Sequence, residues 1–183
     1  GMDLANPEAL RPRLSELKPN LIVNAAAYTN VDGAESDPET ALAINGKTPD
    51  VLAGWAAENE ASIVHFSTDY VYDGGGDQPR AESDPCNPAN AYGQSKLVGD
   101  QAVLSSGAPH AVLRTSWLYS ETGKNFFRTM LRLGAERQEL RIVDDQIGAP
   151  TSTNLLAAIV NRILQQADGD ISGFLRKNGG LYH

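Results

Sequence analysis

Hydrophobic residues occur along the chain in two kinds of run. Apolar stretches at 21–26, 62–67 and 110–114 show no polar alternation, which is typical of parallel strands buried on both faces. Apolar residues at helical spacing predict helices over about 37–59, with a bend at a proline, and over about 92–104. Because strands and helices alternate, we expect right-handed crossovers and a parallel sheet. The pattern therefore predicts an α/β fold.

The second half of the chain continues this pattern. Residues 140–143 predict a further short strand, and apolar residues at helical spacing in 127–131 and 156–164 predict two more helices that pack on the core. The loop at 144–151 is polar and contains glycine and proline, so it fits either a wall facing a substrate or a plain connection. Residues 73–90 combine glycines, prolines and acidic residues, which predicts a surface loop.

Composition and charge narrow the class of protein. The 183 residues fit a single domain, residues 1–183, and with 41% hydrophobic and 21% charged residues they can form an ordinary core. A net charge of −8 argues against nucleic acid or an anionic membrane as a partner. Cys86 is the only cysteine, so no intramolecular disulfide can form, and a reducing cytoplasm is the expected compartment. No apolar run is long enough to span a bilayer.

The candidate chemistry lies at the start of the helix predicted over 92–104. Tyr92 and Lys96 are four residues apart, so they share one face of that helix. An ammonium beside a phenol favours the phenolate, so we expect Lys96 to lower the pKa of Tyr92 and make it a general acid or base. The spacing alone fits a surface pair equally well, and for a bare Tyr-x-x-x-Lys that is the more common case.

A second motif supports the chemical interpretation. The apolar run at 62–67 ends in Ser67, Thr68 and Asp69, so it delivers hydroxyl groups to the carboxyl end of a buried strand. Ligands of open α/β sheets bind outside these ends. Thr68 and Tyr92 can therefore converge on one carbonyl oxygen, while Lys96 orients the tyrosine and reaches towards a cofactor ribose. These features resemble the extended branch of the short-chain dehydrogenase/reductase superfamily.

No metal site is predicted. The three histidines have no ligand partners at metal-binding spacing, and His65 lies in an apolar strand, where a core position is the expected one. The nucleophile-elbow and Walker patterns are also missing from the sequence.

Motifs along the whole chain resemble the dTDP-4-dehydrorhamnose reductase family. They occur in the family's order and are Asn24-Ala25-Ala26-Ala27-Tyr28-Thr29-Asn30-Val31-Asp32, Ser67-Thr68-Asp69-Tyr70-Val71-Tyr72-Asp73-Gly74, Tyr92-Gly93-Gln94-Ser95-Lys96, Arg114-Thr115-Ser116-Trp117-Leu118-Tyr119, Asn125-Phe126 and Asp145-Gln146-Ile147-Gly148-Ala149-Pro150-Thr151. The resemblance implies reduction, by NADPH or NADH, of the C4 ketone of dTDP-4-dehydro-6-deoxy-L-mannose to dTDP-L-rhamnose.

The resemblance also implies roles for individual residues. Tyr92 donates a proton to the forming alkoxide, Lys96 lowers the pKa of Tyr92 and holds the nicotinamide ribose, and Thr68 hydrogen-bonds the carbonyl. The remaining residues divide into a group that lines the cofactor and a group that contacts the sugar. The first group is Ala26, Ala27 and Thr29, and the second is Val31 and Trp117.

The sequence departs from the family pattern in its cofactor motif. It contains no Gly-x-Gly-x-x-Gly turn for the pyrophosphate. We therefore expect a truncated Rossmann-like, doubly wound parallel sheet that lacks the first strand-helix-strand unit, with part of a small substrate-binding portion in 115–183. The missing strand would lie beside 21–26. A bare strand edge is a template for another strand, so we expect a homodimer formed through this edge.

Two further functions remain open at this stage. A nucleotide-sugar dehydratase or epimerase of the same superfamily is one alternative, although dehydratases of the superfamily carry an Asp-Glu pair after the threonine, where this chain has Asp69-Tyr70. The other is a non-catalytic regulatory or binding subunit, which the missing cofactor motif favours and the retained Thr68, Tyr92 and Lys96 oppose.

Overall fold

The computed structural model describes residues 2–183 and contains helices on both sides of a parallel sheet. In chain order, its elements are a 3-10 turn Pro7–Ala9, α1 Leu10–Leu17, β1 Leu21–Asn24, α2 Val31–Ser36, α3 Pro38–Leu42, a π-helical turn Ala43–Lys47, α4 Thr48–Glu58, β2 Ser62–Thr68, a 3-10 turn Asp69–Val71, α5 Ala91–Ser105, β3 His110–Thr115, β4 Leu118–Tyr119, α6 Phe126–Glu136, β5 Thr151–Ser152, α7 Thr153–Ala167, α8 Ile171–Asn178 and β6 Gly180–Tyr182.

The main sheet has the strand order β1-β2-β3-β6, and all its neighbours are parallel. Strands β2 and β3 confirm the strands predicted from the two apolar runs, and their register pairs Thr68 with Thr115 at the carboxyl ends. The strand predicted over 21–26 lies at the expected bare edge of the sheet in the described residues, but it is shorter than predicted and is not buried on both faces. Strand β1 stops at Asn24 and has β2 as its neighbour in the described residues, so Val23 is 43% exposed rather than buried.

One face of the sheet is covered by α1, α4 and α5. Leu10 and Leu14 of α1 and Trp55 of α4 pack with Ile63 of β2 and Val112 of β3 in a single buried cluster. These positions lie at helical spacing in the helices and on alternate residues of the strands, as the two periodicities require. Because side chains alternate along β2, Ile63 points to the face covered by α1, α4 and α5, and Val64 points to the opposite face.

The other face is covered by α7 and α8. Val64 of β2 and Leu113 of β3 pack there with Leu175 of α8, and Ile159 and Ile163 of α7 border this cluster. The sheet thus carries helices on both faces, which confirms the predicted Rossmann-like, doubly wound α/β arrangement.

The helical segment predicted over 37–59 is divided into three parts. Asp37 caps its start by accepting a hydrogen bond from the Thr40 amide at 3.2 Å. The π-helical turn Ala43–Lys47 follows α3, and Pro49 stands in the first turn of α4, where its missing N–H is tolerated. Pro49 therefore lies where the π-helical turn passes into α4.

Two further predictions for the second half of the chain are wrong. Residues 140–143 form no strand and are largely exposed, because no neighbouring strand in the described chain supplies hydrogen-bond partners. Phe127 and Leu131 lie on a helix, α6, as predicted, but they are 49% and 61% exposed and do not join the core. The helix is amphipathic, but in the described chain its apolar face is covered only in part, as where Tyr119 packs against Phe127 at a ring-centroid distance of 5.9 Å.

The helices of residues 2–183 include none with the length and apolar character needed to cross a membrane.

Candidate active site

The start of α5 is fixed by contacts with three other segments. The Asn90 side chain caps it by accepting a hydrogen bond from the Gly93 amide at 2.8 Å. The Ala91 amide donates to a carboxylate oxygen of Glu35 on α2 at 2.7 Å. A side chain at Gly93 would collide with the Tyr70 carbonyl, so glycine lets α5 approach the segment that follows β2. These contacts place Tyr92 beside the carboxyl end of β2.

Thr68 occupies that strand end and meets Tyr92. Its hydroxyl donates to Asp69 at 3.1 Å and accepts from the Tyr70 amide at 3.2 Å. The Thr68 side chain also lies close enough to the Tyr92 phenol to lower its pKa. The ring of Tyr70 packs edge-on against that of Tyr92, with a centroid distance of 5.5 Å. The structure therefore brings together the two hydroxyl groups that the sequence analysis assigned to one carbonyl oxygen.

The expected effect of Lys96 on Tyr92 is wrong in direction. The pKa of Tyr92 is raised from its ordinary value because burial disfavours the phenolate, and hydrogen bonding with Thr68 opposes this only partly. The charge of Asp69 acts in the same direction as burial. Burial is the largest effect on the Tyr92 phenol, and the raised pKa favours its neutral form.

Lys96 lies deeper than its sequence position suggests. Its side chain is 2% exposed, and its ammonium donates to the Phe66 carbonyl of β2 at 2.6 Å. Burial lowers the pKa of Lys96 to about 8, while the charge of Asp100 raises it. One backbone carbonyl uses one of the three ammonium donors, which leaves two for other partners.

The residues assigned to the cofactor lie in the loop after β1. Ala26 and Thr29 are exposed and Ala27 is half-buried. Asn45, in the π-helical turn, holds this loop by accepting from the Tyr28 amide at 2.9 Å and donating to the Tyr28 carbonyl at 3.0 Å.

Asn45 also donates to the Ser95 hydroxyl on α5 at 3.0 Å. The loop after β1 and the helix that carries Tyr92 and Lys96 are therefore joined through one buried side chain. Sequence analysis missed Asn45, because an asparagine within a helical segment is ordinarily a surface residue.

The residues assigned to the sugar lie on either side of this centre. Val31 is the first residue of α2, which packs against α5. Trp117 lies two residues beyond Thr115, the register partner of Thr68, and is 44% exposed with a left-handed backbone (φ 46°). The placement of Trp117 puts its indole beyond the carboxyl end of β3.

The loop at 144–151 reaches Trp117. A side chain at Gly148 would collide with the indole ring of Trp117. The Ser116 hydroxyl donates to the Ala149 carbonyl at 2.7 Å and lies 3.2 Å from the Ala149 amide, which donates to it. This contact supports the interpretation of the loop as a wall near the candidate sugar residues.

Two buried charged residues near Lys96, Asp100 and Arg114, were also missed, and His65 lies beside them. Asp100 is fully buried, and its carboxylate accepts from Arg114 of β3 at 3.0 Å. His65 of β2 is fully buried, as predicted, and its Nε2 lies 3.8 Å from the other Asp100 oxygen. The signal for Asp100 was present in the sequence, since it lies four residues beyond Lys96 on the same helical face, and Arg114 interrupts an otherwise apolar strand.

Within residues 2–183, no group of three or more His, Cys, Asp or Glu side chains is arranged to hold a metal ion.

The chain is similar to known proteins over its whole length. A family model described as the RmlD substrate binding domain matches residues 1–183. The dTDP-4-dehydrorhamnose reductase of Escherichia coli strain K12 is 48% identical over 183 residues, which cover 99% of this chain and 59% of that protein. A crystal structure of a dTDP-4-dehydrorhamnose reductase from Clostridium acetobutylicum superimposes with a TM-score of 0.88 at 39% identity, covering 100% of this chain and 61% of that one.

A second solved structure carries a ligand. The dTDP-4-dehydrorhamnose reductase from Bacillus anthracis, in complex with NADP, matches with a TM-score of 0.85 at 37% identity and covers 100% of this chain and 61% of that one. The chain thus spans about three-fifths of the length of these relatives.

Proposed function

Because the chain belongs to the RmlD substrate binding domain family, we propose that it is a nucleotide-sugar reductase. The reaction is the NADPH-dependent reduction of the C4 ketone of dTDP-4-dehydro-6-deoxy-L-mannose to dTDP-L-rhamnose. The observation that carries the proposal is the meeting of the Thr68 and Tyr92 hydroxyl groups at the carboxyl end of β2, beside Lys96. Its relatives named dTDP-4-dehydrorhamnose reductase support the choice of substrate.

The proposed chemistry needs a proton donor and a group that polarises the ketone. In the proposed reaction the carbonyl oxygen accepts a hydrogen bond from Thr68 and a proton from Tyr92. The raised pKa of Tyr92 suits this direction, since a neutral phenol is the form that donates a proton. Solvent then restores the proton to Tyr92, and Thr68 keeps the oxygen in place throughout.

The loop after β1 and Lys96 are suited to bind the nicotinamide end of the cofactor, but not its pyrophosphate. Ala26 and Thr29 are small and exposed at the end of β1, and Lys96 has two donors free after its bond to Phe66. These residues and Ala27 would hold the nicotinamide ribose, provided that the Lys96 ammonium turns outward. Bound NADPH supplies a hydride for the carbonyl carbon. No residue of this chain is assigned to the pyrophosphate.

The burial of Lys96 also favours a second candidate function. A lysine that is 2% exposed and bound to a backbone carbonyl can serve the fold alone. A non-catalytic binding protein for nucleotide sugars would then retain Val31 and Trp117 as ligand contacts without transferring a hydride. The two candidates differ in whether NADPH is bound and consumed.

The decisive experiment measures NADPH binding and turnover in the same samples. Nicotinamide fluorescence reports binding, and the loss of NADPH absorbance with the dTDP-linked ketosugar reports turnover. We expect Tyr92→Phe to abolish turnover and keep NADPH binding, because the hydroxyl donates a proton but does not hold the cofactor. The control is Tyr182→Phe, which removes a hydroxyl bonded to the Asn178 carbonyl on the far edge of the sheet.

Three outcomes separate the candidates. Loss of turnover in Tyr92→Phe alone supports the reductase. Equal turnover in Tyr92→Phe and in the control would contradict the assignment of Tyr92. Binding of the dTDP-sugar without binding or oxidation of NADPH would favour the non-catalytic protein.

We infer three further properties that accompany this function. Residues 115–183 include part of a substrate-binding portion, and the separate two-stranded sheet of β4 and β5 supports this division. The chain forms a homodimer through the edge of β1, because that edge has unpaired backbone groups and an exposed Val23. It acts in the cytoplasm, in line with its single cysteine and its biosynthetic relatives.

A further inference from the structure

A set of buried charges lies directly behind the candidate active site. Lys96 and Asp100 are one helical turn apart on the face of α5 that meets the sheet, and they are 2% and 0% exposed. Every other lysine of the chain is exposed. Isolated buried charges are very unfavourable, so this pair requires a physical explanation.

The geometry supplies an explanation for the aspartate. The Arg114 guanidinium donates to one oxygen of Asp100 at 3.0 Å and also donates to the Tyr72 hydroxyl at 2.7 Å. Within residues 2–183 the other oxygen, Oδ1, has no hydrogen-bond partner, and it lies 3.8 Å from His65 Nε2. Arg114 therefore binds only one of the two carboxylate oxygens of Asp100.

The remaining groups around Lys96 do not stabilise its charge. The titratable and charged side chains that face this region from α5, β2, β3 and the turn after β2 are Tyr92, Asp100, His65, Arg114, Asp69 and Tyr72. Burial holds the pKa of His65 well below its ordinary value, so its ring is neutral near pH 7. Asp69 forms its hydrogen bond with Thr68 and is not among the groups acting on Lys96.

Burial raises the pKa of Asp100, and the Arg114 guanidinium at 3.0 Å opposes this effect. We propose that Asp100 is a positioning residue that keeps the buried Lys96 ammonium charged behind Tyr92, while the ion pair with Arg114 favours the Asp100 carboxylate over its neutral form. The inference rests on the proposed function, in which Lys96 acts as a cation at the active site. Asp100 contacts neither substrate nor cofactor in this scheme and acts through Lys96 alone. Two cations and one anion then leave the buried set with a net positive charge behind the reacting oxygen.

The test measures the titration of Lys96 itself. The protein is labelled with [ε-¹³C]lysine, the Lys96 signal is assigned with Lys96→Met, and its midpoint is followed with pH by NMR. We expect a wild-type midpoint near the value of about 8 that burial and Asp100 together set. In Asp100→Asn the midpoint should fall by about one pH unit or more, a tenfold smaller ammonium fraction above the midpoint.

Two matched variants separate charge from packing. Asp100→Glu keeps the negative charge and should leave the Lys96 midpoint close to that of the wild type. Glu58→Gln makes the same acid-to-amide change in the exposed ion pair with Arg11, where the two groups lie 2.7 Å apart, and should not move the Lys96 signal. A midpoint that does not fall in Asp100→Asn overturns the proposal.

Two further measurements test the proposal if the Asp100→Asn variant does not fold. The double variant Asp100→Asn/Arg114→Gln leaves no unpaired partner of the ion pair, and the Lys96 midpoint should again fall, by less than in Asp100→Asn because a neighbouring cation is removed as well. In the wild type, the carboxyl ¹³C shift of Asp100 must report an ionised group at pH 7, since a neutral acid cannot stabilise the ammonium. A protonated Asp100 overturns the proposal. None of these readouts needs NADPH, so a chain that fails to bind it still reports on Asp100.

Discussion

The contact between α5 and the π-helical turn can be tested by a single added methyl group. At Gly99, in the middle of α5, a Cβ would collide with the Asn45 carbonyl and lie 3.1 Å from Cγ of Pro49. Backbone atoms cannot turn aside as a side chain can, so Gly99→Ala must push α5 away from the turn. That shift would stretch the hydrogen bond from Asn45 to Ser95, which is 3.0 Å in the native chain.

The magnitude follows from three opposing effects. Alanine in place of glycine favours a helix by about 1 kcal/mol. Overpacking a tight contact costs roughly 1–3 kcal/mol, and weakening a buried hydrogen bond costs about 1 kcal/mol more. The net expectation for Gly99→Ala is a loss of about 1–3 kcal/mol in the free energy of unfolding.

The matched control is Gly134→Ala, the same substitution inside α6. No atom lies within 4 Å of a Cβ built at Gly134. Only the helix preference remains there, so this variant should be more stable by up to about 1 kcal/mol. Urea unfolding followed by far-UV circular dichroism gives both values. Gly99→Ala with wild-type or higher stability would refute the close approach of α5 to the Asn45 backbone.

Two further predictions concern acid stability and assembly. His65 is buried and neutral in the folded chain and protonates near pH 6.5 when unfolded, so the unfolded state binds more protons and stability falls as the pH drops below about 6.5. His65→Gln should flatten the pH dependence of urea unfolding by up to about 1.4 kcal/mol per pH unit, and equal slopes would contradict this. The proposed dimer should appear in light scattering at micromolar concentration. Val23→Lys, which charges the β1 edge, should give a monomer, and a monomeric wild type would contradict the dimer.

The elements that sequence analysis located well are those with a strong local signal. Strands β2 and β3 extend one residue beyond the predicted ranges, and α5 begins and ends within one residue of its prediction. Their apolar runs and helical spacing are sufficient because both faces of these strands pack against helices. The placement of Thr68 and Tyr92 followed from these bounds, since strand ends and helix starts determine where the two hydroxyl groups lie.

Predictions failed where the structure of a segment depends on which other segment packs or pairs with it. Residues 140–143 have the composition of a strand, but a strand needs a partner for its backbone groups. The apolar face of α6 looked like a core face because periodicity shows that a helix is amphipathic but not what covers it. The exposure of Val23 in β1 has the same origin, because the apolar run at 21–26 does not specify what covers the faces of the strand.

The burial of the polar residues on α5, which sequence analysis missed, has a different cause. Tyr92, Lys96 and Asp100 recur every four residues along α5, and such a polar stripe is ordinarily the solvated face of a helix. Here that stripe faces the sheet, because Arg114 on β3 and the Phe66 carbonyl on β2 provide partners inside the fold. Those partners lie far away in the sequence, so the pattern on α5 cannot reveal them. The direction of the Tyr92 pKa depends on the same fact, since burial of the stripe, and not the Lys96 charge, is the largest effect on its phenol.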